Sequence, residues 1–304
     1  MAVDLASIRD LLLPGLRGLT GQYDQIPNRW KKIFTSGVSN LNVERTAAMK
    51  YLGLAQVKTE GGQTAFDNNA GEFAVYNQQH MEISLGYAIT RVSIDDNLYR
   101  TQFKPSNLGL QRSFAQTKEI FGADILNSGI TYDARIGGDG KPLFDVAHPI
   151  IGGSIPNKPA VEVALNESSL SNAQVSIRQT WRDNRGLRIL GRAKQLIIPS
   201  ALEPTAIRLL KTELRPGTAN NDVNAILSTA GGIPDGYEVN EYLTSNYAWF
   251  LKTDQDGLLF LQRIPFETDM QVDFTTDNLL VKAYERYSFG YFDWRAIWGT
   301  FPTS

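Results

Sequence analysis

From Met81 to Ile89 apolar residues fall on every second position: Met81, Ile83, Leu85, Tyr87 and Ile89, separated by Glu82, Ser84, Gly86 and Ala88. Period two demands a strand with one buried and one wet face. After Thr90 and Arg91 the phase flips to Val92 and Ile94, which predicts a bulge or sharp bend. The run-up, Lys58 to Gln79, is mostly Gly, Gln, Asn, Thr and Glu, with Phe66, Phe73, Val75 and Tyr76 scattered through it. An isolated hairpin is marginal in water. A polar ribbon feeding such a strand is therefore expected to lie on something else, a second copy of the chain being the natural partner.

The chain has 304 residues, enough for about two domains. It has no cysteine, which excludes disulfides, thiolate metal sites and a cysteine nucleophile. The two histidines, His80 and His148, give little material for a triad or a His-rich metal site. The first residues lack a basic stretch ahead of their short apolar patch, which Pro14 and Gly15 interrupt, so no signal peptide is expected. No run approaches a membrane span, and a soluble product synthesised inside the cell is expected. Net charge is −2, but it is segregated: +3 over 1–50, −4 over 51–177, +6 over 178–215 and −7 over 216–304. Alternating blocks of this kind suit complementary contact between copies; ordinary surface variation is the plainer reading.

Short helical pieces are expected over 4–13 and 29–34, with Trp30 and Phe34 spaced as helical neighbours. The strongest helix is predicted over 107–128, opened by Pro105 and Ser106, striped by Leu110, Phe114, Phe121 and Ile125, and stopped by Gly129. Gly137–Pro142 reads as a tight reversal, followed by Leu143 and Phe144 as buried anchors. Ser171 and Gln174 form a capping pattern ahead of Ile177 and Trp181. Leu196–Ile198 reads as a buried strand, and Ser200 with Glu203 starts a helix ending at Pro216-Gly217. Strands are predicted at Trp249–Leu251, Leu258–Leu261 and Leu279–Ala283, and the aromatic stretch Tyr284 to Phe301 predicts a strand held in a core.

Chemical motifs are sparse. Asp145 and His148 stand three apart, but a zinc site needs three or four protein ligands. The plainer reading is a histidine bonded locally in its turn. The Gly137–Pro142 segment lacks the spacing and the hydroxyl residue of a phosphate loop. Asp95-Asp96 reads as a solvated turn, and the sequon at Asn166 carries no weight without secretion. The basic block of Arg178, Arg182, Arg185, Arg188, Arg192 and Lys194 has no recognition motif; it suits weak contact with nucleic acid or an acidic neighbour.

Three stretches resemble a known family. Asp139–Pro149 (DGKPLFDVAHP), Leu196–Leu210 and Glu285–Thr300 (ERYSFGYFDWRAIWGT) are similar to segments of tailed-phage major capsid proteins with the Hong Kong 97 fold, closest to the Mu-like major head subunits. The resemblance implies an α+β fold with an N-terminal arm (1–50), an extended E-loop hairpin (51–97), a P-domain (98–195) holding the spine helix, an A-domain (196–289), and a last strand (290–304) returning to the P-domain. It implies a non-enzymatic structural protein without cofactor or metal, assembling into hexamers and pentamers of an icosahedral shell around double-stranded DNA. Expected intersubunit contacts are Phe66, Phe73, Val75, Tyr76 and Met81 of the E-loop and Leu12, Trp30 and Phe34 of the arm. Arg178, Arg182, Arg185 and Arg188 would line an inner or intersubunit surface and touch packaged DNA without specificity. Portal, scaffold and decoration proteins are further implied partners, with no membrane; the implied location is the virion, assembled in the host cytoplasm. Some relatives cross-link Lys to Asn; Lys58 lies in the E-loop without a matching motif, so the cross-link is not carried over. No fused scaffolding domain is expected. Two alternatives stay open: a hydrolase using Asp145, His148 and Ser154, and another oligomeric virion part such as a tail-tube or decoration protein.

Overall fold

The computed structural model describes residues 23, 28–67, 71–96, 99–213, 224, 226 and 232–303, with the backbone alone at 99–102. In chain order the elements are α1 (Trp30–Ile33), β1 (Thr35–Val38), β2 (Val43–Met49), β3 (Glu72–Gln79), β4 (Met81–Ile89), α2 (Arg91–Asp95) and α3 (Tyr99–Asn127). There follow β5 (His148–Ile150), β6 (Gly153–Ile155), α4 (Glu167–Thr180), β7 (Ala193–Ile198), α5 (Glu203–Leu210), β8 (Tyr237–Val239), β9 (Trp249–Thr253), β10 (Leu258–Val272), β11 (Leu279–Tyr291) and β12 (Ile297–Thr300).

Two four-stranded sheets carry the core. The first runs β1-β10-β11-β4 and is built on the long β10–β11 hairpin; the second runs β12-β9-β7-β8. The period-two segment is β4, an edge strand paired with β11 from Leu279↔Ile89 to Tyr287↔Met81. Its pattern holds at Ile83, Tyr87 and Ile89, which turn inward while Glu82, Ser84 and Ala88 face water; Leu85 departs by lying exposed. The long helix α3 crosses this sheet, with Phe114 edge-on to Phe266 and Phe121 edge-on to Tyr287. Along β11 burial alternates as far as Ala283, whereas Tyr287 to Tyr291 is buried on both faces. The second face there is covered by the base of the β2–β3 ribbon, where the Gln78 amide donates to the carbonyls of Leu259 and Ser288.

Several boundaries differ from the sequence expectations, each for a physical reason. The phase flip after Thr90 is no bulge: Thr90 Oγ1 accepts from Ser93 N and caps the short helix α2. Helix α3 begins at Tyr99 and not after Pro105, which sits inside it. Phe103, buried with Ile89, Ile94, Met270, Leu279 and Val281, anchors the extra turns against the helix-breaking effect of proline. Helix α4 is capped by Asn166, not Ser171: Asn166 Oδ1 accepts from Ser169 N while Ser169 Oγ accepts from Asn166 N. Helix α5 stops at Leu210; the expected end at Pro216-Gly217 lies outside the described residues.

The expected strands in the last third exist but run longer, β10 and β11 reaching Val272 and Tyr291. Their sheet membership also divides the chain differently from the expected 196–289 and 290–304 segments. Residues of β10 and β11 join β4 and β1 beside α3, while β12 joins β9, β7 and β8. The reversal after Gly137 is present, with Gly140 at φ +78° and Asp139 Oδ1 accepting from Lys141 N at 3.0 Å. Leu143 and Phe144 are buried anchors, as expected. Among the described residues no helix is long and apolar enough to cross a membrane.

Candidate assembly surface

The most distinctive surface is the ribbon that leaves the body between β1 and β4. Strands β2 and β3 pair antiparallel from Val43↔Gln79 to Met49↔Glu72, with a bulge at Ala48/Met49. This ribbon does not borrow all its support from elsewhere. Tyr76 is 5% exposed, edge-on to Tyr291 and pressed onto Gly138, and the Gln78 side chain is buried against β10 and β11. Further out, Asn184 donates to Met49 O at 2.6 Å and accepts from Tyr51 N at 3.0 Å. Arg185 grips Asp67 at 2.9 Å, and the same carboxylate accepts from Gly53 N at 2.8 Å.

Beyond these anchors the chain offers apolar groups to water. Leu52 and Leu54 are exposed, Val57 is 99% exposed and Phe66 is 84% exposed. Contiguous apolar exposure of this kind marks an interaction surface. Of the expected E-loop contacts, Phe66 lies here; Phe73, Val75 and Met81 are half-buried at the ribbon base and in β4. Tyr76 is a correction, because its ring is spent on the subunit's own core. Trp30 and Phe34 are corrected for the same reason: Trp30 packs on Phe260 and Phe289, and Phe34 is edge-on to Phe289. Leu12 lies outside the described residues.

The basic block does not form one helical face, since α4 ends at Thr180. Arg178 is exposed in its last turn, and Arg182 donates to the carbonyls of Gln179 and Trp181. Arg182 is bridged antiparallel to Arg188, which is exposed, while Arg185 is engaged with Asp67. Some of the charges also meet within the chain. Arg29 pairs with Glu241 at 3.2 Å, Lys32 with Glu238 at 2.6 Å, and buried Lys118 with buried Glu285.

The hydrolase constellation is not assembled. His148 is fully buried and lies flat on Trp294 at 4.3 Å. Its Nδ1 meets Asp139 at 2.6 Å and its Nε2 meets Asn157 Oδ1 at 3.2 Å. The expected Asp145 instead accepts from Ala147 N, and Ser154 is exposed in β6 opposite Pro149. Histidine bonded locally is therefore the correct reading, with Asp139 as its carboxylate. Among the described residues no group of three or more His, Asp or Glu side chains could hold a metal ion.

Sequence reasoning missed Asn157, whose Nδ2 donates to the carbonyls of Leu143, Trp294 and Ile297. It missed Lys118 as well, which lies among the rings of Tyr23, Trp30, Phe260 and Tyr287. Lys118 stands four residues after Phe114 and three before Phe121, on the apolar side of α3, and that spacing was the signal that could have found it. Asn157 sits in a loop, where no periodicity marks it.

Two sheets, a long helix across one of them and a projecting ribbon make the Hong Kong 97 capsid fold. Solved structures with this architecture include the capsid of cyanophage P-SCSP1u (TM-score 0.55, 10% identity, covering 91% of this chain and 89% of that one). The procapsid of bacteriophage JBD30 is similar too (0.53, 12%, covering 99% and 76%), as is a virus-like particle from Pyrococcus furiosus (0.53, 11%, covering 94% and 97%). At these identities the likeness shows the fold. The family model described as phage capsid protein matches residues 83–299, and the chain belongs to that family. No curated protein matches the chain. The protein is a structural subunit of a phage capsid.

Proposed function

We propose that this subunit builds an icosahedral head of hexamers and pentamers around double-stranded DNA, with residues 51–67 overlapping a neighbouring copy. The observation that carries this reading is the exposed set Leu52, Leu54, Val57 and Phe66 on a ribbon whose base is fixed in its own subunit. Burying one such side chain contributes about 1.5–3 kcal/mol, and closed symmetry repeats each contact around the shell. The first sheet with α3 serves as the P-domain and the second sheet as the A-domain. Exposed Arg178 and Arg188 suit non-specific phosphate contact on an inner face. Similarity in the DGKPLFDVAHP and ERYSFGYFDWRAIWGT stretches supports a Mu-like head subunit, assembled in the host cytoplasm with portal, scaffold and decoration partners.

The test removes the surface without touching its anchors. Gly53 N lies 2.8 Å from an Asp67 carboxylate oxygen, so residues 54–66 can be replaced by a short Gly-Ser turn. Deleting further, to Gln79, would strip out Tyr76 and Gln78 and damage the core. The shortened chain is expected to keep its thermal melting and lose shell formation by size-exclusion chromatography and negative-stain microscopy. Normal shells from it would overturn the overlap.

A further inference from the structure

One residue, His80, separates β3 from β4, so it stands where the projecting ribbon becomes part of the first sheet. Its ring is 5% exposed and engaged on both sides: Nε2 with Ser39 Oγ at 2.8 Å and Nδ1 with Ser288 Oγ at 3.0 Å. Ser39 Oγ in turn reaches Glu44 Oε1 of β2 at 2.5 Å, and His80 N donates to Asn42 O. A single directed chain satisfies every group: Ser288 O–H donates to Nδ1, Nε2–H donates to Ser39, and Ser39 O–H donates to Glu44. That chain requires a neutral imidazole.

The charges around it reinforce the requirement. Arg263 of β10 and Arg286 of β11 act on the imidazole as like charges, with Glu44 of β2 as the opposing charge. Arg286 is partnered by Glu82 of β4 at 3.6 Å and by Asn42, whereas Arg135, whose carbonyl accepts from Gln79, turns its guanidinium to Asp133. Arg263 Nη1 and Arg286 Nε are buried without a partner among the described residues. A proton on His80 would reverse the Ser288 bond, strand that hydroxyl's hydrogen, and add a third positive charge to this pocket.

We propose that His80 is a proton-operated hinge pin, which holds the β2–β3 ribbon to the first sheet when neutral and releases it when protonated. Burial, then Arg263 and Arg286, hold its pKa below the ordinary 6.5. The unfolded or released state thus binds the proton more readily. The stabilisation is present above pH 6.5 and is lost as pH falls through the lower value of the folded state. The hinge stands on the geometry of the serine–imidazole chain, and the direction of its response on the burial and charge around the ring; its effect on shell assembly rests on the proposed capsid role.

The experiment compares amide hydrogen exchange of β2 and β3 in the full chain at about pH 7.5 and about pH 5, corrected for intrinsic exchange, with His80→Gln as the control. A glutamine amide can bond both serines but cannot titrate. Acidification is expected to lower ribbon protection severalfold in the natural chain and to leave His80→Gln unchanged. An unchanged natural chain, or an equal loss in both, overturns the hinge. Should His80→Gln fail to fold, the imidazole signals of the natural chain decide, since it holds only two histidines. A His80 signal titrating below the ordinary value supports the hinge; one at or above it overturns it. A chain that forms no shell at any pH would count against the capsid role and leave the hinge measurement standing.

Discussion

At the residue scale the subunit depends on a few enclosed polar groups whose hydrogen bonds leave no alternative arrangement. Asn157 is fixed by three carbonyls on its Nδ2 and by Asp145 N on its Oδ1, and His148 is held between it and Asp139. His148→Ala removes the donor from a buried carboxylate and the ring from Trp294, and is expected to cost about 3 kcal/mol or more. Urea unfolding of the purified subunit measures this; a change below about 1 kcal/mol would show the network to be dispensable. Gly138 is needed for close approach, because a Cβ there would lie 2.4 Å from the Tyr76 ring and 2.6 Å from its Cα. Gly138→Ala is expected to lose about 1–3 kcal/mol and to loosen the ribbon base, read as faster proteolysis between Lys50 and Glu72. The turn chemistry of Gly137–Pro142 was legible in the sequence, because Asp and Gly act locally. The partners of His148 and Tyr76 were not, because Asn157 and Gly138 reach them through the fold.

At the element scale local signals predict the kind of element better than its ends. Helix α3 was legible from Leu110, Phe114 and Ile125, yet its start was hidden by Pro105, whose cost is offset by packing of Phe103. Helix α2 looks like a broken strand in the sequence because two apolar residues cannot separate the two periods. Gly129 does follow the helix, but close contact explains it better than a left-handed turn, since a Cβ at that position would lie 2.6 Å from the Phe144 ring. One tie between α3 and the first sheet is the buried pair of Lys118 and Glu285, to which Tyr23 also donates at 3.3 Å. Lys118→Met would leave that carboxylate enclosed without its cation, costing about 3–5 kcal/mol, whereas Lys118→Met with Glu285→Leu should recover most of the loss. Thermal melting of the three chains checks this; equal melting of the single and double variants would refute the pairing.

At the scale of the whole molecule the ribbon that projects from the body carries exposed apolar side chains among its polar residues. The basic start and acidic end were candidates for contact between copies, but Arg29 and Lys32 meet Glu241 and Glu238 inside one subunit. The proposed overlap therefore rests on the exposed apolar residues of 52–66, of which the Gly-Ser replacement removes 54–66, and on a ribbon base fixed in its own subunit. The sequence by itself determined most of the element types, the polar ribbon and the burial of the aromatic closing stretch, because period, turn residues and burial preference are local properties. It did not show that the stretch splits into β11 and β12 in different sheets. Only the tertiary structure decided that Trp30, Phe34 and Tyr76 turn inward, that β12 joins the second sheet, and that His80 is held between Ser39 and Ser288. Those outcomes depend on pairing between strands far apart in the chain, and on which faces remain to be covered once the sheets have formed.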